Sequence, residues 1–158
     1  MVVVDTAMRY DKRFKAMHRT VVSGSAGPAY LTVPVSTPGT THCRWDEVLV
    51  SGHGEWWRVM QSTMETLYGA TPWFHLFKHD LFPLVGRDKV GRSVTDLNTA
   101  LLVAVRRLAA VPVALSVSLD PRYTTDAGVD ITDMRRHDFY TDPEARSVIE
   151  TLFEKGEL

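Results

Sequence analysis

The sequence predicts an α/β protein: a single domain in which a small mixed sheet with a β-hairpin packs against three to four helices. Short β-branched runs near the start and middle of the chain have the composition of buried strands. A cluster of turn residues between two such runs indicates the hairpin. Apolar residues then recur at three- and four-residue steps, which is typical of helices packed on a core. At 158 residues, positions 1–158 have the usual size of one domain.

The strands come mainly from the first third of the chain. The run at 23–28, Ser-Gly-Ser-Ala-Gly-Pro, supplies turn formers between the second and third strands, so these two form the hairpin. A late stretch in which large and small residues alternate adds a strand beyond the helices. The strands are predicted at 2–5, 19–22, 30–33, 47–50 and 111–119.

The helices are recognised by the three- and four-residue spacing of their apolar residues and by the capping residues at their ends. Gly69 follows the first helix as a C′ residue, a position that often adopts a left-handed conformation, and Pro83 ends the second. Ser93 caps the third, and Asp142 with Pro143 begins the last. The helices are predicted at 54–68, 73–82, 94–109 and 142–153, and the polar stretch at 120–140 is a candidate lid loop.

Composition excludes several classes of protein. Eighteen basic and nineteen acidic residues give a net charge of −1, which does not favour nucleic-acid binding. The single Cys43 excludes an intramolecular disulfide and a multi-cysteine metal site. No apolar run approaches the ~18 residues of a membrane span, and the start of the chain does not resemble a signal peptide, so we expect a cytoplasmic protein. Neither a GxGxxG nor a P-loop motif occurs, and we expect no cofactor and no metal.

The strongest candidate site follows the first strand. Asp5 ends that strand, and a loop of cations and one phenol comes next. Ligands of α/β proteins gather at the carboxyl ends of strands, and such side chains suit a carboxylate or phosphate. The alternative is a solvated loop in which Asp5 pairs with Arg13 for structure. The candidate residues of the loop are Tyr10, Lys12, Arg13, His18 and Arg19.

Two further groups are weaker candidates. His75 and His79 share a helix face, but a metal site needs a third ligand, so a substrate-facing His75 is the better interpretation. Trp57 belongs to a dense aromatic segment, and because it neighbours Trp56 on a helix, one of the two should line a surface or cleft. Cys43 lies beside His42, but adjacent extended residues point to opposite sides, which favours an inert thiol.

Several segments occur in an order that resembles the WbqC-like family. They are Val-Val-Asp at 3–5, Tyr-Asp-Lys-Arg at 10–13, Leu-Thr-Val-Pro-Val at 31–35, the Tyr-to-Phe segment at 68–74, Asp-Leu-Asn at 96–98, Asp-Met-Arg at 133–135 and the closing run at 147–153. The resemblance covers nearly the whole chain. It also has departures: the family's opening His-x-Pro segment has no counterpart, its Arg-Asn-Arg stretch is Ala-Met-His at 16–18, and its His-Trp pair is Met-Gln at 60–61. We therefore expect a shortened member.

The resemblance implies a role in surface-polysaccharide or natural-product biosynthesis, with transfer of an amino acid or acyl group to a sugar as the expected activity. The resemblance implies site residues only at the positions where the motifs match. These are Asp5, Tyr10, Lys12, Arg13, Tyr68, Asn98, Asp133 and Arg135.

We therefore expect a small biosynthetic enzyme that acts on a polar acyl or amino-sugar substrate, free or carrier-bound. Asp5 or His18 is the expected general base. Lys12, Arg13 and Arg19 hold anionic charge, while His75 and Trp57 line the pocket. Two alternatives stay open: a cofactor-independent cyclase with an aromatic cleft, and a non-catalytic partner subunit. A homodimer also stays open.

Overall fold

The computed structural model describes residues 2–24, 27–39, 42–112 and 115–118, and it confirms the α/β class. The predicted lid loop at 120–140, the predicted closing helix, Asp133 and Arg135 lie outside the described residues. Within the described ranges, no helix is both long enough and apolar enough to cross a membrane.

The described strands pair two by two. The first and last strands are parallel, with Val2 opposite Leu115 and Asp5 opposite Ser118, whereas the other two pairs are antiparallel. Both orientations expected of a mixed sheet are therefore present, in separate two-stranded sheets, and the hairpin at Arg19–Gly24 and Gly27–Thr32 is confirmed. The strands are β1 (Val2–Asp5), β2 (Arg19–Gly24), β3 (Gly27–Thr32), β4 (Val35–Ser36), β5 (Leu49–Val50) and β6 (Leu115–Ser118).

The predicted strand at 47–50 is wrong in its first half. Trp45–Glu47 forms a 3₁₀ turn, because the Arg44 backbone N–H donates to Glu47 Oε2 at 2.7 Å and closes the turn. Only Leu49–Val50 is extended, and it pairs with β4. The local side-chain bond outweighs the strand preference of the apolar residues that follow it.

Three helices lie near their predicted positions: α1 (Trp56–Tyr68), α2 (Phe74–Leu81) and α3 (Val94–Leu108). Helix α1 begins two residues later than expected, because Gly54 and Glu55 adopt positive φ angles of 71° and 44°. Gly69 follows α1 in a right-handed conformation, so it is not a left-handed cap. Ser93 caps α3 as predicted, since its side chain accepts from the Thr95 N–H.

The core lies where α1 and the start of α3 pack on the 43–50 segment. Trp45, Val48, Val50 and Val94 are fully buried. Two backbone bonds join these segments: Val94 N–H donates to Val48 O at 2.9 Å, and Val50 N–H donates to Arg92 O at 2.8 Å. The amino end of α3 is thereby fixed against the Trp45–Glu47 turn, close to the loop that follows β1.

Candidate functional site

The loop that follows β1, residues 6–18, together with Arg19 at the start of β2, carries five exposed cationic side chains and is called the cationic loop below. Its first part runs antiparallel to residues 43–46 and is held there by backbone bonds. Tyr10 N–H donates to Cys43 O at 2.9 Å, and Trp45 N–H donates to Met8 O at 3.0 Å. The loop is therefore attached to the core at its base. Its exposed cations are Arg9, Lys12, Arg13, Lys15 and Arg19.

Asp5 lies at the carboxyl end of β1 but is turned inward. Its side chain is only 7% exposed, and Oδ1 accepts the Ala7 N–H at 2.9 Å. A carboxylate that accepts a backbone N–H two residues on stabilises a turn. This contact gives Asp5 a structural task, directing the chain from the strand into the cationic loop.

Arg13 pairs with Asp11, and not with Asp5 as the structural alternative expected. Both Nε and Nη2 of Arg13 donate to the Asp11 carboxylate, at 2.9–3.2 Å. These hydrogen bonds lower the pKa of Asp11 to about 2. The Arg13 side chain remains 91% exposed, so it presents a charge that Asp11 already compensates. Lys12 beside it is exposed and makes no ion pair within the described part of the chain.

His18 is half-buried at the end of the cationic loop and is held by three bonds. Nδ1 lies 3.1 Å from Val33 O, and because a carbonyl can only accept, Nδ1 carries the proton. The backbone of His18 donates to Lys15 O and accepts from Val33 N–H. Burial lowers the pKa of the imidazole, and the positive charges of Lys15 and Arg19 lower it further. The ring is therefore neutral at pH 7, with Nε2 as an unprotonated acceptor.

Asn98 supports the turn that precedes His18. Its Nδ2 donates to Met17 O at 2.7 Å, which joins α3 to the cationic loop across 81 residues of sequence. The family resemblance implied that Asn98 binds substrate, whereas the structure shows its amide bonded to the backbone immediately before His18. Asn98 is thus placed to position the loop.

Arg19 is oriented by two residues of the neighbouring strand. Its Nε donates to Thr32 Oγ1 at 3.1 Å, and its guanidinium lies 5.5 Å from the centre of the Tyr30 ring. Tyr30 is 64% exposed, so this pair stands at the surface of the hairpin. Thr32 and Tyr30 were not among the site residues predicted from the sequence. The hairpin register was the available signal, since Arg19 and Thr32 are directly opposite partners.

Tyr10 packs into the base of the cationic loop. Its ring meets the Trp45 indole edge-on, with centroids 4.7 Å apart. Burial raises the pKa of the phenol, and nearby Cys43 and Asp11 raise it further. Tyr10 is therefore a neutral hydrogen-bonding group at pH 7. Cys43 is buried and His42 is exposed, as their opposite orientation predicted.

The remaining predicted site residues make contacts with other elements. The Tyr68 hydroxyl donates to Ser23 O at 2.9 Å and ties the end of α1 to the hairpin. His75 is exposed on α2, where its ring contacts Phe74. Trp57 is buried and lines a cavity at the start of α1. Among the described residues, no group of three or more His, Cys, Asp or Glu side chains could hold a metal ion.

These features define a class: a mixed α/β protein with a neutral, hydrogen-bonded histidine among exposed cations after its first strand. A model of the WbqC-like protein family matches residues 1–155. The chain therefore belongs to the WbqC-like protein family. No curated protein and no solved structure matched it.

Proposed function

We propose that the protein is a small biosynthetic enzyme that transfers an acyl or aminoacyl group to an amino or hydroxyl group of a polar, sugar-like acceptor. The observation that carries this proposal is the state of His18. Its Nδ1–H is engaged by Val33 O and its pKa is lowered, so Nε2 is available as a base at neutral pH. Membership of the WbqC-like protein family supports the biosynthetic context.

The proposed reaction is a nucleophilic acyl substitution. His18 Nε2 accepts a proton from the attacking amine or hydroxyl as the new bond to the acyl carbon forms. Negative charge develops on the acyl oxygen, and the cations of the loop stabilise it. When the bond to the leaving group breaks, the His18 imidazolium returns the proton to that group. Protons and electrons balance without a cofactor.

The roles of the predicted residues follow from their contacts. His18 is the proposed base in preference to Asp5, because the Asp5 carboxylate is buried and already accepts a backbone N–H. Arg19 is the proposed oxyanion or carboxylate ligand, because Thr32 and Tyr30 orient it in advance. Lys12 adds an exposed charge. Arg13 contributes less, since Asp11 compensates it.

The test is a coupling assay with a simple activated donor. The purified protein is incubated with an acetyl or glycyl thioester of N-acetylcysteamine and with glucosamine, and the amide product is measured by mass spectrometry. We expect product from the wild-type chain and a rate roughly 10²–10⁴ lower in His18→Gln. His75→Gln is the matched control, because His75 is exposed on α2, and it should keep the wild-type rate. Absence of product from the wild type, or an unchanged rate in His18→Gln, would overturn the proposal.

The cyclase alternative required an apolar pocket built from Trp57, Trp73 and Phe74. Trp57 and Phe74 are buried, whereas Trp73 is mostly exposed. The cavity beside Trp57 is lined by Glu55 and Arg87 in addition to apolar groups. These contacts favour transfer over cyclisation. The non-catalytic alternative is an outcome of the same assay, since it requires that no donor and acceptor pair reacts.

A further inference from the structure

A cavity at the start of α1 lies apart from the residues assigned to the proposed transfer reaction. It is an open cleft with a volume of about 360 Å³, and four of its five lining residues are exposed. Two segments form it, one leading into α1 and one between α2 and α3. We propose that this cavity binds a small organic monocarboxylate with an apolar body. The lining residues are Gly52, Glu55, Trp57, Arg87 and Val90.

The wall between α2 and α3 is held in place by its backbone. Arg87–Lys89 forms a 3₁₀ turn, in which the Val90 N–H donates to Arg87 O at 3.1 Å. Gly91 N–H then donates to Val50 O at 2.9 Å, which fixes the turn to β5. The two walls also meet closely: a Cβ added at Gly52 would lie 3.3 Å from Val90 Cγ1. The wall between α2 and α3 is therefore anchored to β5, which limits the ordering that ligand binding would require of it.

The wall that leads into α1 contains an unfavourable conformation. Gly54 and Glu55 are successive left-handed residues, with φ of 71° and 44°. This conformation is natural for glycine, but it is disfavoured for a residue with a Cβ such as Glu55. Strained backbone of this kind concentrates at functional sites. Here it places Glu55 on the rim and turns the chain so that Trp57 lines the cavity.

The charges of the lining residues favour an anionic ligand. Glu55 pairs with Arg58, with Oε2 and Nη1 3.3 Å apart, so its charge is compensated. Arg87 makes no ion pair with any residue in the described ranges, and it leaves the cavity one positive charge. A guanidinium binds a carboxylate through two parallel hydrogen bonds. The Trp57 indole and the Val90 side chain supply the apolar contact for the rest of the molecule.

The test compares benzoate with two probes that each lack one of its properties. Benzoate has the charge and the apolar ring, benzamide keeps the ring without the charge, and acetate keeps the charge without the ring. Affinity is measured by calorimetry, and the Trp57 indole N–H is followed by NMR. The variants are Arg87→Gln and, as a matched control, Arg92→Gln. Arg92 is an exposed arginine of the same loop that does not line the cavity.

We expect benzoate to bind with a shift of the Trp57 signal, and benzamide and acetate to bind at least tenfold more weakly. Arg87→Gln should reduce benzoate affinity to the level of benzamide, while Arg92→Gln leaves it unchanged. Equal binding of benzoate and benzamide, no benzoate binding at all, or equal loss in both variants would overturn the proposal. The outcome is independent of the transfer reaction, because neither variant changes the cationic loop.

Discussion

The state of His18 is decided by opposing effects on a single ring. Its bond to Val33 O raises the pKa of the imidazole, whereas burial and the cations Lys15 and Arg19 lower it, and burial is the largest effect. The net shift is downward. In the proposed reaction, His18 acts as the base at neutral pH without needing a carboxylate to orient it, because the backbone carbonyl already fixes the tautomer.

The lowered pKa of His18 predicts a dependence of stability on pH. The unfolded chain binds more protons than the folded one between the folded pKa and the ordinary value of 6.5. The contribution of His18 to the free energy of unfolding should therefore be complete above pH 6.5. It should decrease as the pH is lowered from 6.5 toward the pKa of the folded state. Urea unfolding at pH 7.5 and 5.5 measures the difference, which should be smaller in His18→Gln than in the wild type. The exposed His75→Gln should keep the wild-type difference, and an equal pH effect in all three chains would contradict the prediction.

The pKa of the Asp11 carboxylate can be tested in the same way, by changing the residue that lowers it. Its pKa of about 2 depends on the hydrogen bonds from Arg13. Arg13→Ala removes the side-chain bonds but keeps the bond from the backbone N–H of residue 13 to Asp11 Oδ1, so the pKa should rise part of the way toward its ordinary value of 3.8. Carbon-detected NMR titration of the Asp11 side chain measures it, and Lys12→Ala is the control that should leave the value low. A pKa of Asp11 that stays near 2 in Arg13→Ala would show that another group holds it.

At the scale of elements, α3 connects the core with the cationic loop. Val94, Thr95 and Leu97 in its first turn are buried, and the Val94 N–H donates to Val48 O. One turn later, Asn98 Nδ2 donates to Met17 O. Its later part is more open, since Val103 and Val105 are exposed. The amino end of α3 therefore determines where the turn before His18 lies.

Removing the cap of α3 should destabilise the protein. Ser93 Oγ accepts the Thr95 N–H at 3.2 Å, and loss of such a cap costs about 1 kcal/mol. Ser93→Ala should lower the free energy of unfolding by about that amount. Ser62→Ala, at an exposed position inside α1, is the control and should change it by less than about 0.5 kcal/mol. Equal effects of the two substitutions would mean that the cap is not significant.

The elements with local signals were predictable. Ser93 marked the start of α3, and the turn residues between β2 and β3 marked the hairpin, because each depends on a few neighbouring residues. The 3₁₀ turn at Trp45–Glu47 was not predictable from apolar pattern, since a side chain bonded back to Arg44 decides it.

The candidate site was predictable in its location but not in its contacts. The loop after β1 was selected from its cations, yet several of its partners come from other parts of the fold, although Arg13 pairs with Asp11 inside the loop. Asn98 on α3 reaches Met17 across 81 residues, and His18 bonds to Val33, which lies opposite it one step beyond the Arg19–Thr32 pair of the hairpin. Long-range pairs of this kind are set by tertiary packing. The local spacing of apolar residues in a single sequence does not reveal them.

At the scale of the whole molecule, one core supports both proposed sites. Trp45 packs against Tyr10 at the base of the cationic loop, while Val50 bonds to the loop that forms the Arg87 cavity. Val48 lies between them, fully buried, and its carbonyl accepts the first N–H of α3. A loss of packing at Val48 should therefore affect the entire described fold.

Val48→Ala should destabilise the protein by about 2–3 kcal/mol, the sum of lost apolar transfer and the cavity left behind. Val103→Ala removes the same atoms from a residue that is 45% exposed, and it should cost less than about 0.5 kcal/mol. Urea unfolding is followed by far-UV circular dichroism and by tryptophan fluorescence. The two signals should change together in both variants, because a single domain unfolds as one cooperative unit. Separate transitions would contradict the single domain expected for residues 1–158, and equal costs at the two valines would contradict the placement of the core.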